Sequence, residues 1–500
     1  MTTMSDTPAY DALVAHHQTQ HDLEHLQALA SWDRLTGMPA QAAAARARAQ
    51  GALAVLLRQQ QENANLKDYL LAASSEPLND DARLNVALMQ RALTLKEAVP
   101  PSLAGRFEVT RGAAAQAWGL AREDNNWTTF ANAWRPLVSV VREQAERIGQ
   151  HLGLSAMDAL YEGVEPGLRQ ARLEPLIEQV TLWLPPLVAR ARQLQGAEPL
   201  VPTGPFATTE QQALCQDLLS RLGFDFGRGR LDACQHPFTG GVPEDVRLAT
   251  RFVTTSLLPA LMGVLHEAGH AGYQQHLPRH WLGQPLAGPH SASLHEAQAL
   301  TFERQLASMP AFWQAMSPML CERFGNQPAF DPINLWQLTH RVRPGLVRVQ
   351  ADALSYPLHI VLRHRIECAL VNGDIEVEDV PVLWAEQVKQ LLGLNPTENF
   401  IEGPLQDMHW VQGMFGYFPS YLLGAMAAAQ LMQAVKRDTP DLEELVRSGN
   451  WHCVADWLRP RVWEQGARRD LDEALSYATG ESLSEDALRR QLSAWGSFDG

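Results

Sequence analysis

From about residue 8 to 190, apolar residues recur at helical spacing in a background rich in Ala, Leu, Gln, Glu and Arg, as in AQAAAARARAQGALAVLLRQQQ at 40–61. Positions three and four apart share a helix face, so this half reads as long packed helices. TGMPA, SSEPLNDD and EAVPPS supply turn chemistry between them, and none is long enough to act as a linker. The texture first changes at GAEPLVPTGPFATTE, 196–210. After one more helix, 223–253 is dense in Gly and Pro with short alternating runs, which predicts a small β-element. Helix then resumes: 346–370, 378–394, 420–436 and 485–495 all carry apolar residues at helical spacing. No internal repeat stands out. The expectation is a mainly α fold in one domain over 1–500, with an N-terminal helical part at 1–195 and the β-element in the second part at 196–500.

The apolar run LLPALMGVL at 257–265 leads directly into HEAGH at 266–270. On a helix, His266 and His270 lie at i and i+4 on one face, where two neutral imidazoles can reach a single Zn²⁺. Glu267 then lies beside the ion, where a carboxylate can take a proton from water. Chance supplies at most roughly 0.06 such H-E-x-x-H matches in a chain of this composition, so the pattern carries weight. A third ligand is required. His276 lies ten residues after His266, but Tyr273 stands where the longer H-E-x-x-H-x-x-G-x-x-H pattern needs a Gly. On a continuing helix, His276 points about 280° round from His266 and away from the metal. SASLHEAQALTFERQL at 291–306 offers Glu296 and Glu303, seven apart and on one helical face, with His295 adjacent. Glu296 is the preferred third ligand.

Bulk properties narrow the function further. A chain of 500 residues with 46% hydrophobic and 19% charged residues is ordinary for a globular protein and long enough for a single bilobed helical body. The formal charge of −15, without Lys/Arg runs interleaved with aromatics, disfavours nucleic acid and anionic membranes as partners. Cys215, Cys234, Cys321, Cys368 and Cys453 are odd in number, widely spaced and never C-x-x-C, which suits a reducing compartment and reads as ordinary buried thiols. No signal-peptide layout or membrane-spanning apolar run is present, so the expected location is cytoplasmic.

Several motifs in order resemble the thermostable carboxypeptidase Taq family of zinc metallopeptidases. They are SWDRLTGMPAQAAAARA at 31–47, HPFTGG at 236–241, DVRLATRF at 245–252, HEAGH, HEAQ at 295–298, VRVQAD at 347–352, GPLQDMHW at 403–410, FGYFPSYLLG at 415–424 and ATGESL at 478–483. The resemblance covers nearly the whole chain. It implies an α-helical homodimer with a deep active-site cleft, one metal ion per subunit held by His266, His270 and Glu296, and Glu267 as general base. Zn²⁺ is the implied ion, with Co²⁺ able to use the same N/O ligands. The implied substrates are peptides with a free C-terminus, shortened by single residues through zinc-activated water attack. The chain departs from the family pattern at Ala249, where Thr is usual, at Val411, where Ser is usual, and in the third residue of HEAQ.

Residues around the centre are expected to complete the chemistry. His409 and Tyr417 are candidates for stabilising the oxyanion of the tetrahedral intermediate. An exopeptidase must also hold a free carboxylate, for which a guanidinium is the natural partner. Arg348 is the first choice, against the alternative that it pairs with Asp352 one helical turn on. Arg247 is a second choice, with Asp245 near enough to pair with it. Trp410, beside His409, and His236 in HPF are further substrate-side candidates. Two rival functions remain at this point: a zinc endopeptidase or oligopeptidase using the same core, and a metal-binding helical scaffold without turnover.

Overall fold

The computed structural model describes residues 6–396 and 398–497. Its N-terminal half is a succession of helices whose ends fall at polar or turn-forming residues: Pro8–Thr36, Ala43–Gln61, Leu66–Ala73, Asp80–Ala98, Pro101–Glu123, Trp127–Leu152 and Gln170–Leu194 are the main ones. Asn79 and Asn126 cap two of them, accepting from Ala82 N (2.8 Å) and Thr129 N (3.3 Å). In Trp127–Leu152 the buried positions Trp127, Phe130, Trp134, Leu137, Val141 and Ala145 recur every three or four residues, which sends that face inward. Breaks at Asn125 (φ 50) and Gly153 (φ 70) were not expected from the sequence.

One large apolar core runs from Ala114 to Leu492, uniting residues from both halves of the chain. A smaller one gathers Tyr10 and Leu13 of the first helix with Leu70, Val86 and Met89. Between the first helix and the rest lies a cavity of about 480 Å³, faced by His17, His21 and His25 on one side and Gly241 and Gln274 on the other. No helix among the described residues is long and apolar enough to cross a membrane.

The expected β-element is a three-stranded sheet within 223–253. Its strands are β1 (Gly229–Ala233), β2 (Phe238–Val242) and β3 (Asp245–Thr250), in the order β1-β3-β2. β3 pairs parallel to β1 and antiparallel to β2, with Arg230 opposite Arg247 and Phe238 opposite Ala249. Gly241 has φ 114, and a Cβ there would lie 2.0 Å from Asp245 O, so the tight β2–β3 turn needs glycine.

One element departs from the periodicity. The expected helix over 346–370 begins only at Tyr356, after an irregular stretch containing a short 3₁₀ turn at Arg348–Gln350. Pro344 and Pro357 resist helix through this stretch, and Asp352 uses its side chain locally, accepting from Leu354 N and Ser355 N.

Candidate active site and metal centre

The helix Leu258–Gln275 starts with Pro259 in its first turn, buries Leu261, Val264 and Leu265, and carries His266 and His270 with ring centroids 4.9 Å apart. Gly269 lets the neighbouring helix Ala292–Leu300 approach closely, since a Cβ at that position would fall 2.1 Å from Gln298 O. The second helix is capped by Ser291, which accepts from Leu294 N, and Glu165 accepts from Ser293 N at 2.8 Å. From its other side, the helix Pro419–Asp438 presents Gly424, where a Cβ would meet Glu296 Cβ at 2.9 Å. Two glycines thus let the backbones close around Glu296. Its Oε2 lies 3.8 Å from His270 Nε2, and one ligand atom from each of His266, His270 and Glu296 lies within 4.8 Å of the others.

The chain then widens into a π-turn over Thr301–Leu306, a rare geometry often found at functional sites. It presents Glu303 Oε2 2.9 Å from His266 Nδ1. That contact engages one ring nitrogen and leaves the other facing the trio, the arrangement in which an outer carboxylate orients a metal-binding histidine. Burial opposes a charge on His266, but the Glu303 hydrogen bond and the nearby carboxylates raise it to about 10. Burial pushes His270 well below its usual value, so it stays neutral. Glu303 is lowered to about 2: burial opposes the shift, and Arg304 and His266 overcome it. A neutral imidazole, an oriented one and a carboxylate, with two further acidic groups, Glu267 and Glu303, that draw positive charge, fit a divalent cation. Glu303→Ala is expected to weaken metal binding about 10–100-fold, read by competition with a chelator of known affinity. Unchanged affinity would separate Glu303 from the site.

Glu267 is 6% exposed and held from the sheet: Thr239 Oγ1 of β2 donates to its Oε2 at 2.7 Å. Burial raises its carboxyl above the ordinary range, and His266 and Thr239 partly offset the shift. Such a shift moves an acid towards working pH, where it exchanges protons best. Glu296, Glu303 and Tyr356 line a cavity of about 210 Å³ beside His266.

Asp407 binds two guanidiniums, accepting from Arg348 Nε at 2.9 Å and Arg363 Nε at 2.6 Å. Asp407 is 2% exposed and Arg363 0% in their side chains. Burial works against the Asp407 charge, yet Arg363 and Arg348 hold it down at about 2. Two cations on one anion leave a formal surplus of one positive charge. Arg348 stands beside Tyr356, which lines the cavity, and its guanidinium lies 5.3 Å from the Tyr421 ring. His409 Nε2 is 3.0 Å from Tyr421 Oη, and burial first, then Arg348, lowers His409 to about 4, so it stays neutral. Tyr417 packs 5.6 Å from His409, and burial together with the Glu296 charge raises its phenol. It therefore remains a proton donor.

The profile of the "Carboxypeptidase Taq (M32) metallopeptidase" family matches residues 12–495. The chain belongs to this family. Thermostable carboxypeptidase 1 of Thermus thermophilus is 32% identical over 495 residues, covering 96% of this chain and 97% of that protein. Carboxypeptidase 1 of Bacillus subtilis is 32% identical over 476 residues, covering 93% of each. Among solved structures, metallocarboxypeptidase 1 of Trypanosoma cruzi superposes with a TM-score of 0.95 at 36% identity, covering 98% of this chain and 99% of its own. The M32 carboxypeptidase of Deinococcus radiodurans gives 0.92 at 29%, with 98% and 99% covered. This M32 chain is a metal-dependent carboxypeptidase.

Within this metallocarboxypeptidase, several expected roles are revised by position. Trp410 is fully buried, stacks on Trp134 and donates to Glu367 Oε1 at 2.9 Å, so it packs the wall behind His409. Arg348 does not pair with Asp352, because no helix spans them; its partner is Asp407. Arg247 forms the two-pronged pair with Asp245 (2.8 and 2.7 Å) and borders a small pocket with Trp32 and Phe238, outside the cavity beside His266. His236 is exposed in the β1–β2 loop. His276 turns back onto Gly272 O at 2.7 Å, as its angle on the helix requires. Ala249 and Val411 are buried at 0% and 1%, so both departures from the family pattern are packing positions.

Thr239, Tyr356, Arg363, Asp407 and Tyr421 were not legible in the sequence as residues of this site. Asp407 stood in view two residues before His409. Arg363 gave no signal, because a charge in an apolar helix reads as a solvated face. Glu367, also missed, accepts from Trp410 Nε1 and Gly416 N (both 2.9 Å) and so anchors the turn that carries Tyr417. Burial raises its carboxyl to about 8. It therefore keeps a proton that the unfolded chain releases near 4.5, stabilising the fold below that value and losing the contribution as pH rises through 8. Between pH 5 and 8, the urea midpoint of the wild type is expected to fall relative to Glu367→Gln. Parallel midpoints would contradict this.

Proposed function

We propose that His266, His270 and Glu296 hold one Zn²⁺ per subunit, with Co²⁺ able to replace it, and that Glu267 is the general base of C-terminal residue release. The observation that carries this reading is the convergence of three ligand atoms within 4.8 Å, next to a buried carboxylate fixed by Thr239. A divalent ion bound there supplies a Lewis acid that lowers the pKa of water towards about 7 and polarises the scissile carbonyl.

The protein's own groups do the rest. Glu267 takes the proton of the attacking water and passes it to the leaving amine, with Thr239 keeping its carboxylate aimed. Tyr417, protonated throughout, and neutral His409 donate to the oxyanion, and the loss of one such donor typically costs about 10²–10³ in rate. Arg348, pre-set by Asp407 and Tyr356, binds the substrate's terminal carboxylate and limits cutting to the last residue. That cation, beside the Tyr356 that lines the cavity, favours a carboxypeptidase over an endopeptidase.

Glu296→Gln tests the ligand set. The variant is expected to bind less than a tenth as much zinc as the wild type at equal chelator concentration and to lose activity in proportion. Full zinc content with normal turnover would remove Glu296 from the centre.

The whole chain is proposed to work as one catalytic domain, with 1–195 and 196–500 as its two parts. Five unpaired cysteines fit a cytoplasmic location. A homodimer is proposed from the family resemblance. Sedimentation should give twice the 55.5 kDa chain mass, and a monomer would contradict it.

A further inference from the structure

We propose that Glu174, His364 and Cys368 form a second metal site, distinct from the His266–His270–Glu296 centre and suited to a thiophilic divalent ion such as Zn²⁺. His364 and Cys368 stand at i and i+4 on the helix Tyr356–Asn372, repeating the spacing of His266 and His270. Glu174 faces them from Gln170–Leu194, and one ligand atom from each residue lies within 4.8 Å of the others.

The ligand atoms are near enough to share one ion after side-chain adjustment: Cys368 Sγ lies beside the ring, 3.5 Å from His364 Nε2 and 3.8 Å from Nδ1, and must turn about its χ1 to come into line with Nε2. Ligands of a tetrahedral zinc lie about 3.4–3.6 Å apart. His364 Nε2 is 2.9 Å from Glu174 Oε1. The carboxylate must therefore retreat by roughly half an ångström. Its side chain is 41% exposed and free to do so. The other ring nitrogen of His364 lies 3.5 Å from Tyr161 Oη, an outer partner that orients the imidazole. Gln170, one turn before Glu174, places its amide 3.8 Å from Sγ; with the amide reversed, its oxygen supplies a fourth ligand.

The donor set selects the metal. A thiolate, an imidazole and a carboxylate match zinc, whereas Mg²⁺ and Ca²⁺ require oxygen ligands. On binding, the S–H bond breaks, a sulfur–metal bond forms and the proton leaves to solvent, so affinity rises with pH. Burial keeps the free thiol protonated, raising it to about 12. An ion held there ties together two helices far apart in sequence, next to the Glu367 that anchors Trp410 and Gly416.

The test titrates chelator-stripped full-length protein with Co²⁺, counting bound metal and following thiolate-to-cobalt charge-transfer absorption in the near ultraviolet. The catalytic trio contains no sulfur, so this band reports only the second site. Wild type should bind two ions per chain and develop the band. Cys368→Ser should bind one and show none, while His266→Ala and Cys234→Ser keep the band. Glu174→Gln, at an exposed side chain that the fold tolerates, should shift the band's midpoint to about 10–100-fold higher Co²⁺. No band in the wild type, a band surviving in Cys368→Ser, or an unmoved midpoint in Glu174→Gln would overturn the proposal.

Discussion

Glu267→Gln is expected to lower kcat by about 10²–10⁴-fold with metal content unchanged, the range a positioned general base contributes. The substitution keeps the shape of the side chain. Its amide oxygen can still accept from the Thr239 hydroxyl, now 2.7 Å from the carboxylate, so the geometry survives while the ability to take a proton is lost. Because the residue is proposed to touch neither the ion nor the substrate's ends, KM should change far less than kcat. Steady-state kinetics on protein whose zinc has been counted separates the cases: a parallel loss of metal would make Glu267 a ligand, and a fall of less than tenfold would deny it the role of base.

The second large effect is expected at Arg348. Removing one member of a buried, hydrogen-bonded charge pair costs about 2–5 kcal/mol, which is about 30- to 4,000-fold in kcat/KM when the lost partner is the substrate carboxylate. Arg348→Ala should show that loss on free-acid peptides and little on the same peptides amidated. Asp407 keeps Arg363 at 2.6 Å, so the variant does not leave a buried carboxylate unpaired. Arg348→Lys, which keeps the charge but not the fork, should recover only part of the rate. Equal losses on acid and amide would assign Arg348 to the framework.

The face proposed to hold the metal was legible because it is local. Two histidines one turn apart and a carboxylate on the next helix are fixed by helical period, and the same arithmetic turned His276 away correctly. Glu303 was visible on the face of Glu296, but its bond to His266 depends on a π-turn that periodicity does not reveal. The pole proposed to bind the carboxylate was poorly legible because it is non-local: Arg348, Arg363 and Asp407 meet across up to 59 residues of chain. Reading VRVQAD as helix suggested the wrong partner for Arg348, since the prolines and the Asp352 turn outweigh apolar spacing there. Trp410 misled for a related reason. Adjacent residues point to different sides of a short helix, so His409 faces Tyr421 while Trp410 faces the core.

The most direct test is a mass-spectrometric time course on one peptide supplied as free acid and as amide, using zinc-loaded enzyme and a chelated control. The expected result is a ladder of single-residue losses from the C-terminus of the free acid alone, abolished by the chelator and restored by zinc. Internal cuts in both forms, or no cuts with the metal site full, would contradict it.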